Sequence, residues 1–129
     1  MTQANLAVHE AILLALRAGQ ATPIYDVAPD NTNLPFIEIV SQSVSAADAL
    51  DAGGDLHTVF LAIWSSHNGQ CEVLGINASI SSVLHNADLD LAGDSHAVFC
   101  RVSSSQANPE PDGKTYQGAV TVQVRVDHE

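Results

Sequence analysis

The alternation of apolar and polar residues is plainest near the end of the chain. There Tyr116, Gly118, Val120, Val122, Val124 and Val126 alternate with Gln117, Ala119, Thr121, Gln123 and Arg125. A period of two over so long a run predicts a strand with one face on a core and the other wet. A second run, Leu56 to Trp64, is apolar on both alternating faces from Val59 onward, which predicts a central strand covered on both sides. Phe36 to Val40 has strand composition behind Pro35, and a further strand is expected near His96 to Ser103.

Two other segments carry a helical period instead. From Gln3 to Ala18 straight-chain residues and alanines dominate, and Gly19 supplies a stop. At about 100° per residue, Ala7, Val8, Ala11, Ile12, Leu14, Ala15 and Ala18 form a broad apolar side. Leu6 and Leu13 fall instead among the polar residues, and two readings stay open for them: a deeply covered helix, or a contact with another subunit. In the second segment Ser65-Ser66-His67-Asn68 offers caps. Val73, Ile76, Ile80, Val83 and Leu84 then recur at helical spacing up to a stop near Asn86. Another side of this helix gathers the small residues Cys71, Gly75, Ala78 and Ser82. It suits close approach of a second backbone, in the same subunit or in a neighbouring one.

Between these elements, Ala46 to Asp55 is rich in Asp and Gly and reads as a mobile loop or hairpin tip, while Asp112-Gly113 in the Asn108 to Lys114 connector marks a reversal. The order α-β-β-α-β-β results. It predicts an α+β fold: a two-layer sandwich, with two helices packed on one face of a mostly antiparallel sheet. Residues 1–129 are expected to form a single domain, a length that suits one hydrophobic core without disulfides or metal.

Charge narrows the partners. Fifteen acidic residues stand against Arg17, Arg101, Lys114 and Arg125, a formal net charge of −11. That balance opposes binding to nucleic acid or an anionic membrane, both of which call for clustered cations. The N-terminus lacks a basic region, and the apolar run Ala11 to Leu16 is too short for a signal or membrane helix, so a soluble cytosolic product is expected. Cys71 and Cys100 lack C-x-x-C spacing and read as buried free thiols.

Catalytic chemistry finds no support. The G-x-S-x-G elbow, the G-x-x-x-x-G-K-[ST] phosphate loop and the H-E-x-x-H zinc helix are missing from the sequence. Asp48, Asp51 and Asp55, like Asp88, Asp90 and Asp94, match no calcium loop, and the six histidines are scattered. No enzyme, cofactor or metal site is expected.

A family resemblance spans nearly the whole chain. Its carriers are Ile24-Tyr25-Asp26 with Leu34-Pro35-Phe36-Ile37-Glu38-Ile39, then His57 with Ile63-Trp64-Ser65, then Val83-Leu84-His85, and last Pro111-Asp112-Gly113-Lys114-Thr115-Tyr116-Gln117-Gly118. In that order and register they resemble the tail-completion or tail-terminator proteins of long-tailed phages and gene transfer agents. One departure is Val40-Ser41, where the family often has Gly.

The resemblance implies a virion structural protein that assembles in the bacterial cytoplasm as a homo-hexameric ring. The ring would terminate the tail tube at its head-proximal end, touching the major tail tube protein and the head-tail connector, while DNA passes through without being specifically bound. A head-completion or neck protein and a small acidic cytosolic binding module are the alternatives. Leu6, Leu13, Gly75 and Ala78, together with exposed strand edges, are the candidate subunit contacts, and Asp48, Asp51 and Asp55 are the candidate channel or loop carboxylates.

Overall fold

Valines that alternate at Val120, Val122, Val124 and Val126 all come to rest fully or almost fully buried, in a computed structural model that describes residues 2–26, 35–46, 54–65, 70–87, 89, 91, 95–109 and 115–128. Their strand pairs with the doubly apolar segment along its whole length, from Gly54↔Asp127 to Ser65↔Tyr116. In chain order the elements are α1 (Thr2–Gly19), β1 (Ile24–Tyr25), β2 (Phe36–Ala46), β3 (Gly54–Ser65), α2 (Cys71–Leu84), β4 (Ser95–Pro109) and β5 (Tyr116–His128). The sheet runs β1-β2-β3-β5-β4. All its pairings are antiparallel except β1 with β2. It is an α+β fold in which both helices cover one face of the sheet.

Beneath the helices, Val59, Leu61 and Ile63 of β3 meet Ile37 and Ile39 of β2 and the valines of β5. Val8, Ile12 and Leu16 of α1 and Ile76, Ile80 and Leu84 of α2 close this core from above. Close approach needs glycine at two points. A Cβ on Gly118 would lie 2.7 Å from Val73 Cγ1 and 2.9 Å from Asn77 Oδ1, so its absence lets α2 settle onto β5. One on Gly19 would lie 2.8 Å from Val83 Cγ2, where the end of α1 crosses α2.

Ser65 donates a hydrogen bond to Glu72 Oε1 and so ties the end of β3 to the first turn of α2, where a carboxylate also suits the helix dipole. The N-cap of α2 is Gln70, without a side-chain bond; of the expected caps, Ser66, His67 and Asn68 lie outside the described residues. At the far end Asn86 takes the left-handed conformation, φ 63°. Its N–H donates to Cys100 O at 2.8 Å, and Val102 N donates to His85 Nδ1 at 3.2 Å. The turn after α2 is thereby fastened along the outer edge of β4.

Several expectations need correction. β2 extends to Ala46 and β4 to Pro109, well past the apolar runs that announced them. The described side chains of the extra lengths are mostly polar and exposed, held by pairing rather than by burial. Gly54 and Asp55, assigned to the loop, open β3 and are buried; residues 47–53 lie outside the described residues, as does the Asp112-Gly113 turn. Leu14, placed on the apolar side of α1, is 65% exposed, and Leu16 takes the core position instead. Cys71 is exposed, because the small-residue side of α2 faces away from the sheet; Cys100 is buried as expected.

Candidate assembly interface

The face of the sheet away from the helices is uncovered among the described residues. Along β3 it carries Leu56, Thr58, Phe60, Ala62 and Trp64, and along β5 Gln117, Ala119, Thr121, Gln123 and Arg125. These side chains are half-buried or exposed, apart from the small Ala62. The expectation that β3 is covered on both sides is corrected here: Phe60 is 40% exposed, since the helices lie on the other face. Arg101 of β4 is pinned on the open face. Its Nε and Nη2 both donate to Gln123 Oε1, at 3.0 and 2.8 Å, and its guanidinium lies over the Phe99 ring, 5.2 Å from the centroid, within cation–π range.

The outer surface of α1 offers a different character. Leu6 and Leu14 are 59% and 65% exposed, and Glu10 is exposed between them. Leu6, Glu10 and Leu14 recur every four residues and so share one stripe. Leu13, proposed beside Leu6 as a contact residue, is partly buried and packs against the core. On α2, Gly75 and Ala78 are exposed, and a Cβ on Gly75 would meet nothing within 4 Å. The small-residue side therefore packs against no other part of the described subunit. Leu74, which no sequence pattern singled out, lies exposed beside it.

The sheet edges are less open than the sequence implied. β1 covers β2 only at Ile37 and Glu38, and Val40 forms a bulge between Ile39 and Ser41. That bulge falls at the position where the chain departs from the expected Gly. β4 is interrupted twice, between Ala97 and Phe99 and between Val102 and Ser104, and the turn after α2 occupies its edge at Cys100 and Val102. Bulges and covered edges are the usual protection against strand addition. Asp55, a candidate channel carboxylate, is 7% exposed at the start of β3 and shares the core-facing side with His57 and Val59. Asp48 and Asp51 lie outside the described residues.

Among the described residues, no three His, Cys, Asp or Glu side chains are grouped to hold a metal. No described helix is long and apolar enough to cross a membrane.

Residues 3–127 match the family described as Tail completion protein gp17. The chain belongs to that family. A tail-completion chain is a structural protein of a phage-like particle. A chain from the virion of the native gene transfer agent (GTA) particle has a similar fold: the TM-score is 0.85 at 19% identity, over 96% of this chain and 97% of that one. No curated protein matches the sequence.

Proposed function

We propose that this tail-completion chain works as a ring of six copies at the head-proximal end of a tail tube. There it stops tube growth and joins the tube to the head connector. The observation that carries the reading is the family match over residues 3–127. The fold shared with a chain of the GTA virion makes a gene transfer agent or a related prophage particle a fitting setting. The surfaces support assembly, since a closed ring built from one repeated contact needs two dissimilar patches per subunit. The sheet face and the α1 stripe are such a pair on opposite layers.

DNA would pass through the ring without being gripped, because at −11 per chain a phosphate backbone meets net repulsion. Electron microscopy of particles lacking the protein tests the role. Overlong or headless tails are expected. Tailless heads that leak DNA would instead assign the chain to the neck.

A further inference from the structure

β4 ends the sheet, so its backbone groups on the side away from β5 must find partners other than a ladder. At Cys100 and Val102 the turn after α2 supplies two. Asn86 N–H donates to Cys100 O at 2.8 Å, and Val102 N–H donates to His85 Nδ1 at 3.2 Å. One donor and one acceptor, set on either side of Arg101, are what a neighbouring strand would offer there. The backbone of Asn86 provides the donor. For the acceptor, an imidazole nitrogen stands where a strand would place a carbonyl.

A carbonyl oxygen accepts whatever the pH, whereas an imidazole nitrogen accepts only while it carries no proton. A backbone N–H can only donate, so the contact requires a bare Nδ1 and, in the neutral ring, a proton on Nε2. When the ring takes up a second proton, both nitrogens become donors. Val102 N–H and Nδ1–H then face each other, and attraction turns to repulsion. His85 is exposed, so protons reach the ring from solvent without unfolding.

The charged and titratable groups on the surrounding elements are engaged or turned elsewhere. On β4 the Arg101 guanidinium is held on the open face by Gln123 and Phe99, and Cys100 is buried in the core. On β5 Arg125 belongs to the open face. On β3 His57 is buried two strands inward, in register with Val124 and Cys100, and Asp55 is buried on the same side. Glu72 is bound to Ser65 at the opposite end of α2. On α1 His9 faces Asp26, and Arg17 is exposed. Asp88 and Asp90, beyond the turn, lie outside the described residues. Among the described residues Val102 is the one hydrogen-bond partner of the His85 ring.

We propose that His85 is a proton-operated catch on the sheet edge: with a neutral ring the turn after α2 closes β4 at Cys100 and Val102, and with a charged ring it lifts and opens both groups. The catch blocks addition of a further strand at neutral pH and gives that protection up in mild acid.

Amide hydrogen exchange of the whole chain tests it, with each rate divided by the intrinsic rate at the same pH so that only protection is compared. From about pH 8 to about pH 5, the range over which imidazoles commonly charge, protection at Val102 should fall about three- to tenfold, the worth of one hydrogen bond. Asn86 should follow it. The Val120, Val122 and Val124 amides of β5, which is paired on both sides, should stay protected. His85→Asn sets a side-chain oxygen close to the place of Nδ1, and that oxygen accepts at every pH. The step should vanish in this variant with Val102 still protected, and vanish in His85→Ala with protection low throughout. Constant protection at Val102 in the native chain, a step that survives in either variant, or a fall shared equally by the β5 amides would each overturn the proposal.

Discussion

Gly118 and Gly75 show how one residue type serves opposite ends. A methyl group on Gly118 would press on Val73, Asn77 and Ile63, the last at 3.2 Å. Gly118→Ala should therefore destabilise the subunit by about 1–3 kcal/mol, the usual cost of overpacking, measured by denaturant unfolding. Gly75 is exposed in mid-helix with nothing near its missing Cβ, so Gly75→Ala should stabilise by roughly 0.5–1 kcal/mol. If a neighbouring copy approaches there, the same change should weaken assembly while it strengthens the monomer. The sequence placed both glycines on the correct faces of their elements. It did not tell which face was filled, because periodicity reports sides and not neighbours.

The two thiols divide in the same way. Burial pushes the Cys100 thiol up from 9.0 to about 11, so the fold favours the neutral form, while the unfolded chain ionises first. Its contribution to stability is fully present below pH 9 and is lost as pH rises from about 9 through 11. Between those pH values the melting temperature of the native chain should fall more steeply than that of Cys100→Val. Equal slopes would show that the buried thiol is not the cause. With a thiol reagent at neutral pH, Cys71 should react quickly and Cys100 only on unfolding.

Among the elements, those with long runs of one period were legible: the ends of α1, α2, β3 and β5 come within one or two residues of where the pattern put them. β1 was not, because two residues paired parallel to β2 carry no period at all. The bulges at Val40, Val98 and Ser103 were hidden for a related reason. An inserted residue shifts the alternation by one, and in a stretch already rich in Ser and Val that shift leaves no trace. The turn after α2 was equally silent, although it decides how much of β4 remains exposed. His85→Ala should speed amide exchange at Val102, whose N–H now bonds His85 Nδ1, and leave the β5 amides protected. Asn86→Val should cost about 1–2 kcal/mol, since a β-branched residue resists the left-handed conformation held there, whereas Asn86→Gly should be close to neutral.

For the molecule as a whole, the sequence disclosed the layers and the family, and of its candidate contact residues Leu6, Gly75 and Ala78 are exposed while Leu13 is partly buried. Leu13 lies close to Leu6 on a helical wheel, yet Leu13 packs partly against the core and Leu6 is exposed. The open sheet face went unnoticed because its aromatic residues, Tyr25, Phe36, Phe60, Trp64 and Phe99, are spread over four strands, and only the strand order brings them together. With so acidic a chain, the purified protein should show no retention of double-stranded DNA in a gel shift even at low salt, where non-specific attraction is strongest. Salt-sensitive retardation would argue for a DNA-gripping connector instead.

The strand order also bears on how quickly the molecule can form. β3 and β5 lie side by side, yet α2 and β4 separate them along the chain. The β4–β5 hairpin can close locally, but the central pairing must wait until a long intervening stretch has been brought round, and the loss of chain freedom comes before any gain from burial. Refolding should thus run on the order of milliseconds to seconds, as for other chains dominated by distant pairings. During that interval β3, the most apolar strand, stands without its β5 neighbour. A structural subunit of a phage-like particle is most vulnerable to wrong partners then, before its finished surface exists.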